Sequence, residues 1–176
     1  FDLILAIEVG LVAAALLFIV RMSSTFQVAD IAEEDTEAAQ VLRDEPRLAK
    51  KVLAFRVDGP IFFGAAPRFI DRMLSVDSDI EVVILTMKPV PVMDATGATA
   101  LQNLHDRLTR AGIVVMFAGL QPQPLQLLKR MRLLDTLTFN QEYLFTSSAE
   151  AIAAARLVTH ENEGEASGDT DEQLVG

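Results

Sequence analysis

Residues 81–119 read EVVILTMKPVPVMDATGATALQNLHDRLTRAGIVVMFAG. The run VVILTM (82–87) is apolar at nearly every position, the pattern of a strand covered on both faces. Lys88-Pro89-Val90-Pro91-Val92-Met93 ends it, and Asp94-Ala95-Thr96-Gly97 opens a helix. Ala100, Leu101, Leu104, Leu108 and Ala111 share one face of that helix, with Gln102, Asn103, Asp106 and Arg110 opposite. Gly112 closes it as a C-cap, and GIVVMFAG (112–119) reads as a second buried strand. A strand–helix–strand unit implies a parallel pair with a right-handed crossover.

The same patterns extend outward. Upstream, VLAFRV (52–57), the turn residues Asp58-Gly59-Pro60 and IFFG (61–64) read as two strands of an antiparallel hairpin. Pro67 suits the first turn of a helix that places Phe69, Ile70, Met73 and Leu74 on one face. Downstream, a helix over about 122–134 turns Leu125, Leu128, Met131 and Leu134 inward and Lys129, Arg130 and Arg132 outward. A short strand is expected within 136–145, and Ser147-x-x-Glu150 is a capping box for a last helix to about Val158. The expected fold is a small mixed α/β sheet with its helices on one face.

Composition divides the chain further. It has 176 residues, is 51% hydrophobic, and carries a net charge of −10 with mean hydropathy +0.30. Residues 1–46 hold two bases and nine acids, and 161–176 hold six acids and no base, whereas 47–160 have a balance of +3. The hydrophobic excess sits in LILAIEVGLVAAALLFIV (3–20), apolar on every face and broken by one charge, Glu8. That length approaches the roughly 20 residues that span a bilayer core, and Arg21 follows as on a cytoplasmic flank. Asp2 and Glu8 are the acidic residues of this span, and Glu8 is tolerable where it faces other helices. The start Phe1-Asp2 lacks the basic region of a signal peptide and reads as a cut from a longer chain. The expected divisions are a membrane helix (1–21), an acidic linker with helical tendency over 32–42 (22–46), the α/β body (47–160) and a disordered acidic tail (161–176).

These data exclude several chemistries. Without cysteine there is no disulfide, thiolate zinc site or cysteine nucleophile, and His105 and His160 alone give little material for a metal. No metal, cofactor or nucleic-acid partner is expected, although the charge argument is weaker for the body than for the whole chain. Asp58, Asp94 and Asp135 are separated and turn-associated, and His105 lies beside an apolar face, so an enzyme is not expected.

Two surfaces draw notice. Lys129, Arg130 and Arg132 form a strip that reads first as a solvated helix face and second as a surface for lipid headgroups, the acidic linker or an acidic protein. Phe62 and Phe63 read first as core and second as a contact patch. Thr96 stands at a helix N-terminus, where a phosphoryl group is well accommodated. The plainer reading, which the four residues Asp94, Ala95, Thr96 and Gly97 alone favour, makes Asp94 or Thr96 the N-cap.

VLAFRVDGPIFFGAA (52–66), VVILTMKPVPVMDATG (82–97) and GIVVMFAGLQPQPLQLL (112–128) together resemble a STAS domain over roughly 50–158. This is the module shared by sulphate transporters and anti-sigma-factor antagonists. FDLILAIEVGLVAAALLFIVRM (1–22) resembles the last membrane helix of SulP-family anion permeases. The resemblance implies a sheet flanked by helices, with a loop before a helix that in the antagonists carries a phosphorylatable Ser or Thr. Carried over, that acceptor is Thr96, with Ala95 where the antagonists often have a hydroxyl residue. It further implies a cytoplasmic regulatory domain of a secondary transporter for sulphate, bicarbonate or dicarboxylates, at the cell (inner) membrane. The implied partners are the membrane domain of the same permease, a second copy in a homodimer, and a regulatory protein. The alternative is a soluble phosphoswitch like the antagonists.

Overall fold

The computed structural model describes residues 3–23, 27–33, 36–62, 79–134 and 141–168. Helix α1 (Leu3–Ser23) is followed by strand β1 (Gln27–Asp30), a 3-10 turn, α2 (Glu37–Asp44) and the short α3 (Pro46–Ala49). Then come β2 (Val52–Asp58), β3 (Val82–Thr86), α4 (Ala95–Arg110), β4 (Val114–Ala118), α5 (Pro122–Arg130), β5 (Leu144–Phe145) and α6 (Ser148–Gly168).

β3 is buried at every residue and is the centre of the sheet. Its Ile84 lies beside Ala54 of β2 and Met116 of β4, both strands running parallel to it. β5 continues the parallel set beyond β4, and β1 closes the other edge antiparallel to β2.

Strand side chains alternate between faces. Val57, Val83, Leu85, Val115 and Phe117 pack with Leu101, Leu104 and Leu108 of α4 and Leu128 of α5. Val52, Ala54, Val82, Ile84, Met116 and Ala118 pack with Ala38, Ala39 and Leu42 of α2 and Ala151, Ile152 and Ala155 of α6. Helices therefore cover both faces, where one was expected. The crossovers through α4 and α5 share one hand and lie on one side. α2 and α6 lie outside those crossovers and close the other side. α6 is tied to the α2–α3 junction by Arg156, which donates two N–H groups to Glu45.

The expected hairpin does not form. Gly59 does turn the chain, with φ at +85°. Both edges of β2 are already occupied, however, by β1 and β3. Ile61 instead runs parallel beside Met93, donating its N–H to Val92 O at 3.0 Å and accepting from Asp94 N at 3.1 Å. The expected helix beginning at Pro67 and the residue Phe63 lie outside the described residues.

The acidic segment expected as a linker supplies β1 and α2. Thr36 caps α2 by accepting from Ala39 N at 3.2 Å, and Ile31, Ala38, Ala39 and Leu42 are buried. The partial helix expected over 32–42 is present as a 3-10 turn at Ile31–Glu33 and as α2. At the other end α6 begins as read, with Ser147 Oγ accepting from Glu150 N at 3.2 Å. The Glu150 carboxylate accepts from Thr146 N and Oγ1, and these bonds hold it below the usual carboxylate range. α6 then continues to Gly168, past His160 where disorder was expected. Glu161, Glu165 and Ala166 are strong helix formers, and extending a formed helix needs no new nucleus.

α1 is helical where the apolar run predicts a helix, and at 21 residues it is about 31 Å long. Its side chains from Leu3 to Phe18 are all exposed, Leu3 at 75% and Leu17 at 71%. A membrane crossing is not shown. Among the described residues no helix is long and apolar enough to cross a membrane, the side chains of α1 being described only through Phe18. Asp2 lies outside the described residues.

Leu42 is 2% exposed in the cluster under α6. Leu42→Ala is expected to lower the unfolding free energy by about 2–4 kcal/mol, read as a fall in the urea midpoint by circular dichroism. A change below about 0.5 kcal/mol, normal for an exposed linker residue, would detach α2 from the core.

Candidate functional site

The C-terminal ends of β2, β3 and β4 carry the loops 59–62, 87–94 and 119–121, which lie together at one end of the sheet. Asp94 is the N-cap of α4: its Oδ1 accepts from Gly97 N at 2.7 Å. The loop before it is clamped by the start of α5. Gln123 accepts from Met93 N at 2.9 Å and donates to Met93 O at 3.0 Å, and Gln121 donates to Lys88 O at 3.0 Å.

Gly97 is required by close approach rather than by its dihedrals. A Cβ there would stand 2.5 Å from the Ile61 carbonyl oxygen and 2.8 Å from Ile61 Cγ2. The helix turn thus rests on the strand-like segment that the hairpin reading misplaced. Ala95 and Thr96 are exposed, and Asp94 is half-buried. Of the four motif residues, Asp94 caps, Gly97 packs, and Thr96 alone presents a reactive hydroxyl to solvent. Phe62 is half-buried beside this loop, and the nearby Val92 is 39% exposed.

The basic strip is held in an unusual way. α4 and α5 end in the same motif, with crossed bonds of Ile113 N to Leu108 O and Gly112 N to Thr109 O in one, and Leu133 N to Leu128 O and Arg132 N to Lys129 O in the other. The left-handed position is Gly112 at φ +79° after α4 but Arg132 at φ +57° after α5. Lys129, Arg130 and Arg132 are all exposed. Lys129 also lines, with Lys88, a groove of about 500 Å3 at the ends of β4 and β5. Pattern reading missed that groove. Lys88 and Lys129 lie far apart in sequence, and only the parallel order β3–β4–β5 brings them to one rim.

The acids and histidine set aside as catalytic candidates are engaged otherwise. Asp58 accepts from Arg56 Nε at 2.8 Å, and Asp135 lies outside the described residues. The His105 ring stacks on Phe117 with centroids 6.5 Å apart. Burial lowers the His105 pKa below its usual 6.5, partly opposed by Asp106, whose Oδ1 lies 3.5 Å from Nδ1. Among the described residues no group of acids and histidines is arranged to hold a metal ion.

A parallel sheet with one antiparallel edge, covered on both faces and carrying its exposed chemistry on loops and a basic strip, defines a small α/β module without a convergent catalytic cluster among the described residues. The chain belongs to the STAS domain family, whose model matches residues 45–151. It is 32% identical over 131 residues to the putative sulfate transporter YvdB of Bacillus subtilis, a match covering 74% of this chain and 23% of that protein. It is 27% identical over 167 residues to the bicarbonate transporter BicA of Synechocystis, covering 92% of this chain and 29% of that protein. The chain thus spans about a quarter of the length of these relatives. The crystal structure of a sulfate transporter family protein from Wolinella succinogenes matches with a TM-score of 0.57 at 29% identity, covering 62% of this chain and 88% of that one.

Gly97→Ala is expected to destabilise the fold despite the better helix propensity of alanine, worth about 1 kcal/mol, because the Ile61 carbonyl cannot yield cheaply. Thr96→Ala should change stability by less than about 0.5 kcal/mol, and Asp94→Ala should cost about 1 kcal/mol through the lost cap. Urea unfolding of the three variants gives that order, and a neutral Gly97→Ala would refute the close-packing account. Arg132→Gly should stabilise by about 1 kcal/mol, since glycine carries no penalty at positive φ. For His105 the sign follows from the lowered pKa: as pH falls below 6.5 the unfolded chain takes up a proton that the folded chain resists. Its contribution is therefore full above 6.5 and is lost progressively between 6.5 and the lower folded value. An NMR titration placing the folded His105 at or above 6.5 would contradict this.

Proposed function

We propose that this chain is the cytoplasmic regulatory end of a SulP-type secondary anion permease, with α1 as the permease's last membrane span. The carrying observation is the junction of α1 to the body. An apolar helix with every described side chain exposed is followed after three residues by the edge strand of a STAS sheet. The similarity to proteins named as sulfate and bicarbonate transporters supports the same reading. Glu8 then faces other helices of the permease, since an acid in lipid costs about 2.5–3.5 kcal/mol on insertion scales.

In this reading the body supports assembly of a homodimer and control of transport, and anions of the sulphate, bicarbonate or dicarboxylate class cross the membrane domain. The loop cluster at 59–62 and 87–97 is the surface offered to that domain or to a regulatory protein, and Phe62 and Val92 supply its apolar contacts. No catalytic step is assigned to the chain.

A second reading, a phosphoswitch of the anti-sigma-antagonist kind, is favoured by one observation: the Thr96 hydroxyl is exposed on the first turn of α4. Phosphate found on Thr96 by mass spectrometry of the protein from its own cells, together with a Thr96→Glu phenotype, would support it.

Deleting residues 27–160 from the full-length permease is expected to lower anion uptake or surface abundance and to reduce oligomer size. Unchanged uptake with unchanged oligomer size would sink the regulatory reading. The 1–176 chain should also stay with membranes through alkaline carbonate extraction, whereas full release would remove α1 as a span.

A further inference from the structure

The register of β1 fixes which end of the sheet faces α1. Gln27, the first residue of β1, pairs with Asp58, the last residue of β2. The chain therefore arrives from α1 at the end where β2, β3, β4 and β5 all finish. Four Cα steps separate Ser23 from Gln27, a reach of at most about 14 Å. β4 lies three strand spacings from β1, also about 14 Å. The groove between the ends of β4 and β5 is thus within reach of any surface into which α1 is inserted.

That groove is amphiphilic. Its walls include Leu120, Leu125, Leu144 and Phe145, and Lys88 and Lys129 stand on its rim. Both lysines are exposed, and no ion pair of either occurs among the described residues. The described carboxylates nearby are held within the fold: Asp58 accepts from Arg56, Asp94 caps α4, and Glu150 accepts from Thr146, which lines the groove. Two lysines against the one carboxylate bonded to a lining residue leave the edge of the groove with a positive balance above an apolar floor.

We propose that this groove binds an anionic phospholipid of the membrane that holds α1, with the headgroup phosphate between Lys88 and Lys129 and the acyl region against Leu120, Leu125 and Phe145. The proposal rests on α1 being a span. Lysine near an anionic leaflet gains electrostatic attraction, and the apolar wall adds burial that a soluble anion cannot use.

The test places the 1–176 chain in nanodiscs of phosphatidylcholine alone and of phosphatidylcholine with phosphatidylglycerol, and follows lysine acetylation by mass spectrometry. Lys88 and Lys129 should react about fivefold more slowly in the anionic discs. Lys50, exposed at the opposite end of the sheet, should react equally in both. Inorganic phosphate added to phosphatidylcholine discs should leave Lys88 and Lys129 reactive, which separates a lipid from a free anion. Leu125→Gln should abolish the protection with the helical circular dichroism retained. Lys129→Gln, on an exposed side chain, should weaken the protection of Lys88. Equal reactivity in the two discs, protection in phosphatidylcholine alone, or protection by free phosphate would each overturn the site. Failure of the chain to enter either disc would overturn the span and the site with it, whereas entry without lysine protection would overturn the site alone.

Discussion

Burial of β3 on both faces is the condition from which the other layers follow. Val83 and Leu85 need one cover and Val82 and Ile84 another, and no residue of the strand reaches water freely. The crossover helices α4 and α5 satisfy the first face. The second face is closed by α2 and α6, one from before the parallel strands and one from after them. The small residues Ala54, Ala118, Ala38, Ala39, Ala151 and Ala155 meet there and let the helices approach closely. An acidic segment is thereby drawn into the fold, with Arg43 and Asp44 exposed and Ala38, Ala39 and Leu42 inward.

Much of this was legible because the central signals are local. The apolar runs 82–87 and 114–118, the amphipathic helix between them, Gly112 at its end and the capping box at Ser147 all act within a few residues. What was not legible depends on partners distant in sequence. β1 is only four residues, QVAD, too short to show alternation, and α2 is hidden by its neighbouring acids. Asp58-Gly59-Pro60 is a true turn, but which strand lies beyond it depends on which edge of β2 is free. That edge had been taken by a segment read as linker.

The same division holds at the site. Asp94-Ala95-Thr96-Gly97 is recognisable as a helix start from its residues, and the cap at Asp94 was foreseeable. The requirement for Gly97 was not, because it comes from Ile61, whose position follows from the failed hairpin. Once cap and packing account for Asp94 and Gly97, the motif no longer needs phosphoryl chemistry to explain its composition. Ala95 and Thr96 remain exposed, and Thr96 carries the hydroxyl of the motif. Arg132 poses the opposite case: a residue type that the local motif disfavours, held at positive φ beside Lys129 and Arg130 where Gly112 shows what the backbone alone prefers.

A single antiparallel edge strand gives the module its polarity. Had β1 run parallel to β2, α1 would attach at the end where the parallel strands begin, beside Lys50 and away from every loop described above. Running antiparallel, it joins α1 to the end that carries the 59–62 and 87–97 loops and the groove between Lys88 and Lys129. The overall charge of −10 conceals this arrangement, because the acids concentrate in the flanks while the body has a balance of +3. At the loop end, Asp58 and Asp94 are engaged by Arg56 and by the first turn of α4. A chain acidic overall thus carries two exposed lysines, Lys88 and Lys129, on a groove at the ends of β4 and β5.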